Sequence, residues 1–306
     1  MSIQTSVVVP AYNAAEMLGE CLSALQAQSL PRAEYEIIVV DDGSTDGTAA
    51  IAQRFDIRLV RQRNGGAAAA RNTGAREAAG AWLAFIDADC VPSRGWLRAL
   101  VSTVRGGEAG PPYLGAAGRV LGLRSAAAAA RFVDISGALD TERHLSHPRY
   151  PFPPSGNVLY RRDAFLRVGG FDERFQTYEA CDLHDRIRGD GGAFRFEPRA
   201  IVLHQHRKTW RAYFRQQFGY GVGYAQFMHS RRAELPWSVA HEVGAWWSVA
   251  RAAANACRPG RDDAALFRRG TFVKQLAQRC GFVATYWRRR ERARWSARPQ
   301  TADAEG

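Results

Sequence analysis

The sequence predicts an α/β fold: a mostly parallel sheet flanked by helices, followed by a C-terminal amphipathic helical extension. Three observations predict it. Short β-branched or continuous apolar runs alternate with helically spaced segments through the first hundred residues. Each run stops in a polar turn, the pattern of strands buried under helices on both faces. Beyond residue 231 the alternation gives way to alanine, aromatic and arginine-rich helical stretches.

In chain order, residues 5–9 form a β-branched run that ends at Pro10, and residues 14–28 show helical spacing at Met17, Cys21, Leu22 and Leu25. A second strand, EIIVV at 36–40, stops at Asp41-Asp42-Gly43-Ser44, and Ser44 or Thr45 is placed to cap a helix over 48–55. Residues 58–60 give a short third strand. Asn64-Gly65-Gly66 signals a turn, 67–79 a small-residue helix stopped by Gly80, and 82–86 a fourth strand leading into Asp87. Ligands of such a sheet bind at the carboxyl ends of its strands. Pro10, Ala11, Tyr12 and Asn13, then Asp41 and Asp42, then Asp87, Ala88 and Asp89 all fall at those ends, so three loops are expected to converge on one site.

The segment AWLAFIDADCVP at 81–92 carries the most specific chemistry. In an extended strand end, residues two apart point to one side, so Asp87 and Asp89 would aim both carboxylates at one point, with Pro92 ending the strand. Hard oxygen ligands in that arrangement suit Mg²⁺ or Mn²⁺.

Composition narrows the class. The chain has 306 residues, 46% of them hydrophobic and 24% charged, enough for one large domain or two small ones with a sizeable core. Five cysteines without a C-x-x-C pair argue against a disulfide framework or thiolate zinc site and predict a reducing, cytoplasmic setting. MSIQTSVVVP lacks the features of a signal peptide, and no apolar run reaches the roughly 18 residues of a membrane span. The net charge of +12 sits entirely in residues 201–306, where nineteen basic groups face seven acidic ones, and it points to an anionic partner.

Several segments together, PAYN at 10–13, VVDDGSTDGT at 39–48, NGGAAAARNTGAREAAGAWLAFIDADC at 64–90, SGNVLYRRDAF at 155–165 and VGGFDERF at 168–175, resemble the family 2 glycosyltransferases of the GT-A fold, a Rossmann-like sheet. The likeness covers about residues 5–225. It implies inverting transfer of a sugar from a nucleotide donor, UDP-linked or GDP-linked, to an acceptor hydroxyl, with Mn²⁺ or Mg²⁺ as cofactor. Carried over residue by residue, it implies a nucleoside held by Pro10, Tyr12 and Asp42, Arg71 near the base or diphosphate, Asp87 facing the ribose and Asp89 on the metal, with Asp87 as a further metal candidate.

The family's base lies in an E-D-x-D-L-x-x-R segment. Here that stretch is Glu179-Ala180-Cys181-Asp182-Leu183-His184-Asp185-Arg186, with Ala180 where the family has its catalytic Asp. Either Glu179 or Asp182 supplies the base, or transfer is lost and the chain is a silent nucleotide-sugar- or membrane-binding relative. Glu179 is favoured, since it opens a helix where a carboxylate is stabilised, whereas Asp182 and Arg186 are spaced to pair.

The strand expected over 194–203 ends at His204, which the resemblance makes a third metal ligand, against the alternative of a surface histidine. Arg207 and Arg215 follow as diphosphate or acceptor-side candidates, and the glycines of RQQFGYGVGY could bring backbone close to substrate. A proline-rich loop before Gly156 and Asn157 reads equally as a wall of the acceptor pocket or as a linker.

The expected division is a glycosyltransferase domain over 1–230, with a nucleotide-sugar half to 104 and an acceptor half from 105. A basic aromatic extension follows over 231–298 and a disordered tail over 299–306. On the second helix of the extension, Leu266, Val273, Leu276, Cys280, Val283 and Trp287 form a stripe before RRRERARW. The stripe reads either as an interfacial element on an anionic membrane, at the inner face of the plasma membrane, or as a helix packed on the catalytic domain. The acceptor is a hydroxyl compound, lipid-linked in the membrane reading. No nucleic-acid partner is expected, because no such motif is recognised.

Overall fold

The computed structural model describes residues 3–105, 113–148, 150–189, 193–231 and 238–286. Its elements run β1 (Thr5–Ala11), α1 (Leu18–Gln26), β2 (Tyr35–Asp41), α2 (Thr48–Ala52), β3 (Arg58–Arg61), α3 (Ala67–Glu77), β4 (Trp82–Ile86), β5 (Cys90–Pro92), α4 (Trp96–Arg105), β6 (Tyr113–Gly122), α5 (Ala128–Ser136), α6 (Thr141–Leu145), β7 (Asn157–Arg161), α7 (Arg162–Arg167), α8 (Glu179–Gly189), β8 (Ala193–His204), α9 (Trp210–Ser230), α10 (Val239–Ala256) and α11 (Asp263–Tyr286). They fall into two compact units. The first comprises residues 1–126, 136–174 and 179–206; the second comprises 127–135, 175–178 and 207–306. The boundary after His206 assigns α9 to the helices that follow it, although the sequence placed it with the first 230 residues.

The first unit is one eight-stranded sheet of order β3-β2-β1-β4-β7-β6-β8-β5. β3, β2, β1 and β4 are mutually parallel; β7 is antiparallel to β4 and β6, and β8 is parallel to β6. Alternation along the buried strands loads both faces. Val7 and Val9 meet Leu18, Leu22, Trp96 and Leu97 in one layer, and Val8, Ile38 and Val40 meet Ala70, Phe165, Phe171 and Leu183 in the other. Each fully buried Val or Leu contributes roughly 1.5–3 kcal/mol.

Three local expectations change. β4 stops at Ile86, and Asp87 to Cys90 is a turn closed by the Cys90 N–H donating to the Asp87 carbonyl (3.0 Å), so Pro92 ends a separate edge strand rather than β4. Neither Ser44 nor Thr45 caps α2. Asp46 does the work by accepting from the Thr48 N–H (2.9 Å), while the Ser44 hydroxyl accepts from the Asn13 N–H (3.0 Å) and Asn13 Oδ1 accepts from the Thr45 N–H (2.9 Å). Asn13 manages this in a left-handed conformation, φ 48°, which short polar side chains tolerate. Finally, α3 ends at Glu77, and Gly80 instead donates its N–H to Ser6 Oγ (2.9 Å) at the start of β1.

In the second unit α9 and α11 pack along their length. A Cβ on Gly221 would collide with the Gln278 carbonyl and one on Gly281 with the Phe218 carbonyl, so these glycines serve close helix approach, not the contact with substrate expected of the first. The buried positions of α11 are Ala265, Gly270, Ala277, Gly281, Phe282 and Thr285. The stripe predicted from Leu266 to Val283 is therefore only half-buried, because the small residues set the packing face. Asp262 caps α11, accepting from the Ala265 N–H (2.9 Å). Trp287 and RRRERARW lie outside the described residues.

Candidate active site

Strand direction gathers the site. The C-terminal ends of β1, β2 and β4, the N-terminal end of the antiparallel β7 and the C-terminal end of β8 all lie along one edge of the sheet. Pro10 to Asn13, Asp41, Asp42, Asp87, Asp89, Gly156 and His204 follow or precede those ends, so the first unit brings together the three predicted loops.

Asp42 is buried and organises its surroundings. One carboxylate oxygen accepts from Gln62 Nε2 (2.7 Å) and the Gly65 N–H (2.8 Å), and the other from the Gly66 N–H (2.8 Å), which fixes the loop entering α3. Asp41 accepts from the Ser44 N–H (3.0 Å) and lies 3.4 Å from Arg61 Nε. Beside them Tyr12 is 53% exposed.

Arg71 is the centre of the charge network. Only 4% exposed on α3, it donates through Nη2 to Asp87 (2.6 Å) and through Nη1 to Glu179 (3.2 Å), whose same oxygen accepts from Ser155 Oγ (3.1 Å). Burial alone would depress the guanidinium pKa, but Asp87 and then Glu179 outweigh it and hold it above its ordinary value. Gly156 completes the wall, since a Cβ there would run into the Asp87 carboxylate.

The second focus forms where β5 meets β8. Antiparallel pairing sets Cys90 opposite His204, and Asp89 Oδ2 lies 3.5 Å from His204 Nε2. A carboxylate oxygen of Asp89, the Cys90 sulfur and a His204 ring nitrogen all fall within 4.8 Å of one another. The Cys90 thiol is pushed well above its ordinary pKa by burial and then by Asp87 and Asp89, which keeps it protonated and leaves an oxygen and a nitrogen as the donor set. That set fits Mn²⁺ or Mg²⁺ with positions left over for phosphate and water. His204 Nδ1 in turn sits 2.8 Å from His206 Nδ1. Asp87 is directed to Arg71 and falls outside this cluster.

Two expectations need correction. Asp182 is fully buried and held by Arg186 (2.8 and 2.9 Å), whose Nη2 also donates to the Gly170 carbonyl (2.8 Å), so it clamps a loop and cannot take a proton from substrate. Asn157 is likewise fully buried. Its amide accepts from Trp96 Nε1 (2.8 Å) and donates to the Arg119 and Ala200 carbonyls, so it is a strut between strands whose hydrogen-bonding groups are engaged inside the sheet. Arg207 and Arg215 belong to the second unit, Arg215 on α9.

Sequence reasoning missed Ser155, His206 and Asn72. Asn72 donates to the Phe171 carbonyl (2.8 Å) and Glu173 (2.9 Å) and accepts from the Phe171 N–H (2.9 Å), tying the A-R-N-x-G helix to the VGGFDERF loop. The joint presence of those two motifs was the available signal.

The architecture is that of the GT-A glycosyltransferase fold. It matches the mannosyltransferase PcManGT from Pyrobaculum calidifontis, solved in complex with GDP-Man and Mn²⁺, with a TM-score of 0.63 and 20% identity over 94% of this chain and 88% of that one. S. aureus TarS 1–349 in complex with UDP-GlcNAc gives 0.55 and 17% over 94% and 93%. In sequence, residues 6–169 match the family described as Glycosyl transferase family 2. The glycosyltransferase AglE of Haloferax volcanii is 32% identical over 236 residues, 75% of this chain and 76% of that protein. The pre-mycofactocin glycosyltransferase of Mycobacterium tuberculosis is 32% identical over 225 residues, 71% of this chain but 46% of the longer relative. The chain belongs to glycosyl transferase family 2.

Proposed function

We propose that the protein transfers a sugar from a UDP- or GDP-linked donor to an acceptor hydroxyl with inversion, that it depends on Mn²⁺ or Mg²⁺ at Asp89 and His204, and that Glu179 is the base. The observation that carries this reading is the placement of Glu179, at the start of α8 and bonded to Arg71, in the same network as Asp87 at the sheet edge. In the transfer, the acceptor oxygen bonds to the anomeric carbon as its proton passes to Glu179. The bond from that carbon to the phosphate oxygen breaks, and the nucleoside diphosphate leaves with the electron pair. A divalent ion, when bound, supplies positive charge to that leaving group. Ser155 and Arg71 hold the Glu179 carboxylate in place, and exposed Tyr12 offers its ring to the base. Asp42, with its loop fixed, accepts a hydrogen bond from the nucleoside. A hydroxyl acceptor of cell-surface polysaccharide, glycolipid or glycopeptide synthesis agrees with this chemistry.

Release of nucleoside diphosphate from a panel of UDP- and GDP-sugars, with and without Mn²⁺, tests the reading. Glu179→Gln is expected to lower turnover by about 10²–10⁴-fold while donor binding persists. Undiminished turnover in that variant removes the base assignment. Donor binding without release across a broad acceptor panel would favour the silent relative, for which the buried alanine at position 180 is the specific observation.

A further inference from the structure

The described part of the second unit contains a helix whose polarity is inverted. α10 turns its one acidic residue, Glu242, inward to an ion pair with Arg279 of α11, and buries Val249 and Ala252 beside it. Its outward face carries Val243, Trp247, Ala250 and Ala254, spaced three, four and seven residues apart, with Val243 63% and Trp247 68% exposed and Trp246 on the flank at 41%. Arg251 on the same helix and Arg258, two residues beyond its end at Ala256, are exposed. The exposed acids at the start of α11 are already engaged, Asp262 as the cap and Asp263 with Arg131.

We propose that this face of α10 docks the protein on an anionic lipid surface, with Trp247 and Val243 at the headgroup boundary and Arg251 and Arg258 on lipid phosphates. Aromatic and aliphatic side chains followed by arginines match the interfacial class of helix, in which apolar burial and attraction to acidic lipid add. Charge selects this occupant over a second copy of the chain. Residues 201–306 carry nineteen basic and seven acidic groups, so self-association through this unit would bring like charges together. A nucleic acid would satisfy the arginines but leave the apolar stripe in water. The docking face is independent of the donor chemistry proposed above.

Co-sedimentation with vesicles of phosphatidylcholine, with and without phosphatidylglycerol, tests it. Binding is expected only with phosphatidylglycerol and is expected to weaken as salt rises. The double variant Trp246→Ser/Trp247→Ser should lower the partition coefficient by at least about tenfold with an unchanged circular dichroism spectrum. Should that variant fold poorly, Arg251→Glu/Arg258→Glu, at exposed positions, should lower it comparably. The proposal is overturned by equal binding to both vesicle types, by binding that ignores these substitutions, or by sedimentation of the wild type as a dimer that Trp247→Ser dissociates. An oligonucleotide bound with the same tryptophan dependence would also overturn it.

Discussion

In the first unit two arginines are held by buried or half-buried carboxylates: Arg71 lies between Asp87 and Glu179, and Arg186 is bound to Asp182. In the second, Arg251 of α10 and Arg269 of α11 are exposed while Arg279 pairs with Glu242, and α9 and α11 approach one another through glycine and alanine. The difference separates two uses of one residue type. Buried between acids, an arginine fixes the position of the groups that do chemistry and is costly to remove. On a surface it contributes little to stability, and its effect falls on what the surface meets.

The strongest way to break this contrast is Arg71→Met. It leaves Asp87 and Glu179 without their shared counter-charge, and chemical denaturation should show a loss of roughly 3–5 kcal/mol together with lost turnover. Arg71→Lys should recover little of it, because an ammonium cannot span both carboxylates as the guanidinium fork does.

The next largest effect is a response to acid in the first unit. Burial, and then Arg188, hold His184 at a pKa of about 4 against its ordinary 6.5, so the folded state keeps it neutral. Above pH 6.5 neither state is protonated there and its contribution is complete. As pH falls from 6.5 to 4, the unfolded chain takes up a proton the folded chain refuses, and about 3 kcal/mol is lost across that window. His184→Phe, which preserves the ring contact with Phe194, should flatten the pH dependence of the melting temperature there.

Smaller effects come from close approach. Gly281→Val should destabilise by roughly 1–3 kcal/mol by forcing α9 and α11 apart. Gly156→Ala should act mainly on function, displacing Asp87 from Arg71 and weakening donor binding, read by titration calorimetry. At the bottom of the scale, Trp247→Ala should change stability by no more than about 0.5 kcal/mol. A large loss would mean that the outward face of α10 is part of a core, which would erase the contrast between the units.

The parallel half of the sheet was legible because strands buried on both faces write themselves as continuous runs such as EIIVV and WLAFI, and each stops at its turn. The convergence of Tyr12, Asp42 and Asp87 followed from strand direction alone. What stayed hidden depends on distant partners. Whether Asp182 would be free for chemistry turned on its burial, and Asn157 read as a loop-end polar residue until its Trp96 partner was in place. The packing face of α11 was misjudged for a related reason. Periodicity of large residues marks a core stripe in most helices, whereas here glycine and alanine mark it and the half-buried large residues flank them.

The pairing of β5 with β8 has a consequence for how the protein acquires its site. Three residues after Asp89 meet the last strand of the first unit, and that register alone delivers His204 to the carboxylate. Contacts so distant along the chain carry a loop-closure cost and tend to form late in folding. If Asp89 and His204 hold a divalent ion as proposed, its capture during refolding would therefore mark completion of the sheet, and a chain released before residue 204 would hold the DAD turn without its histidine partner.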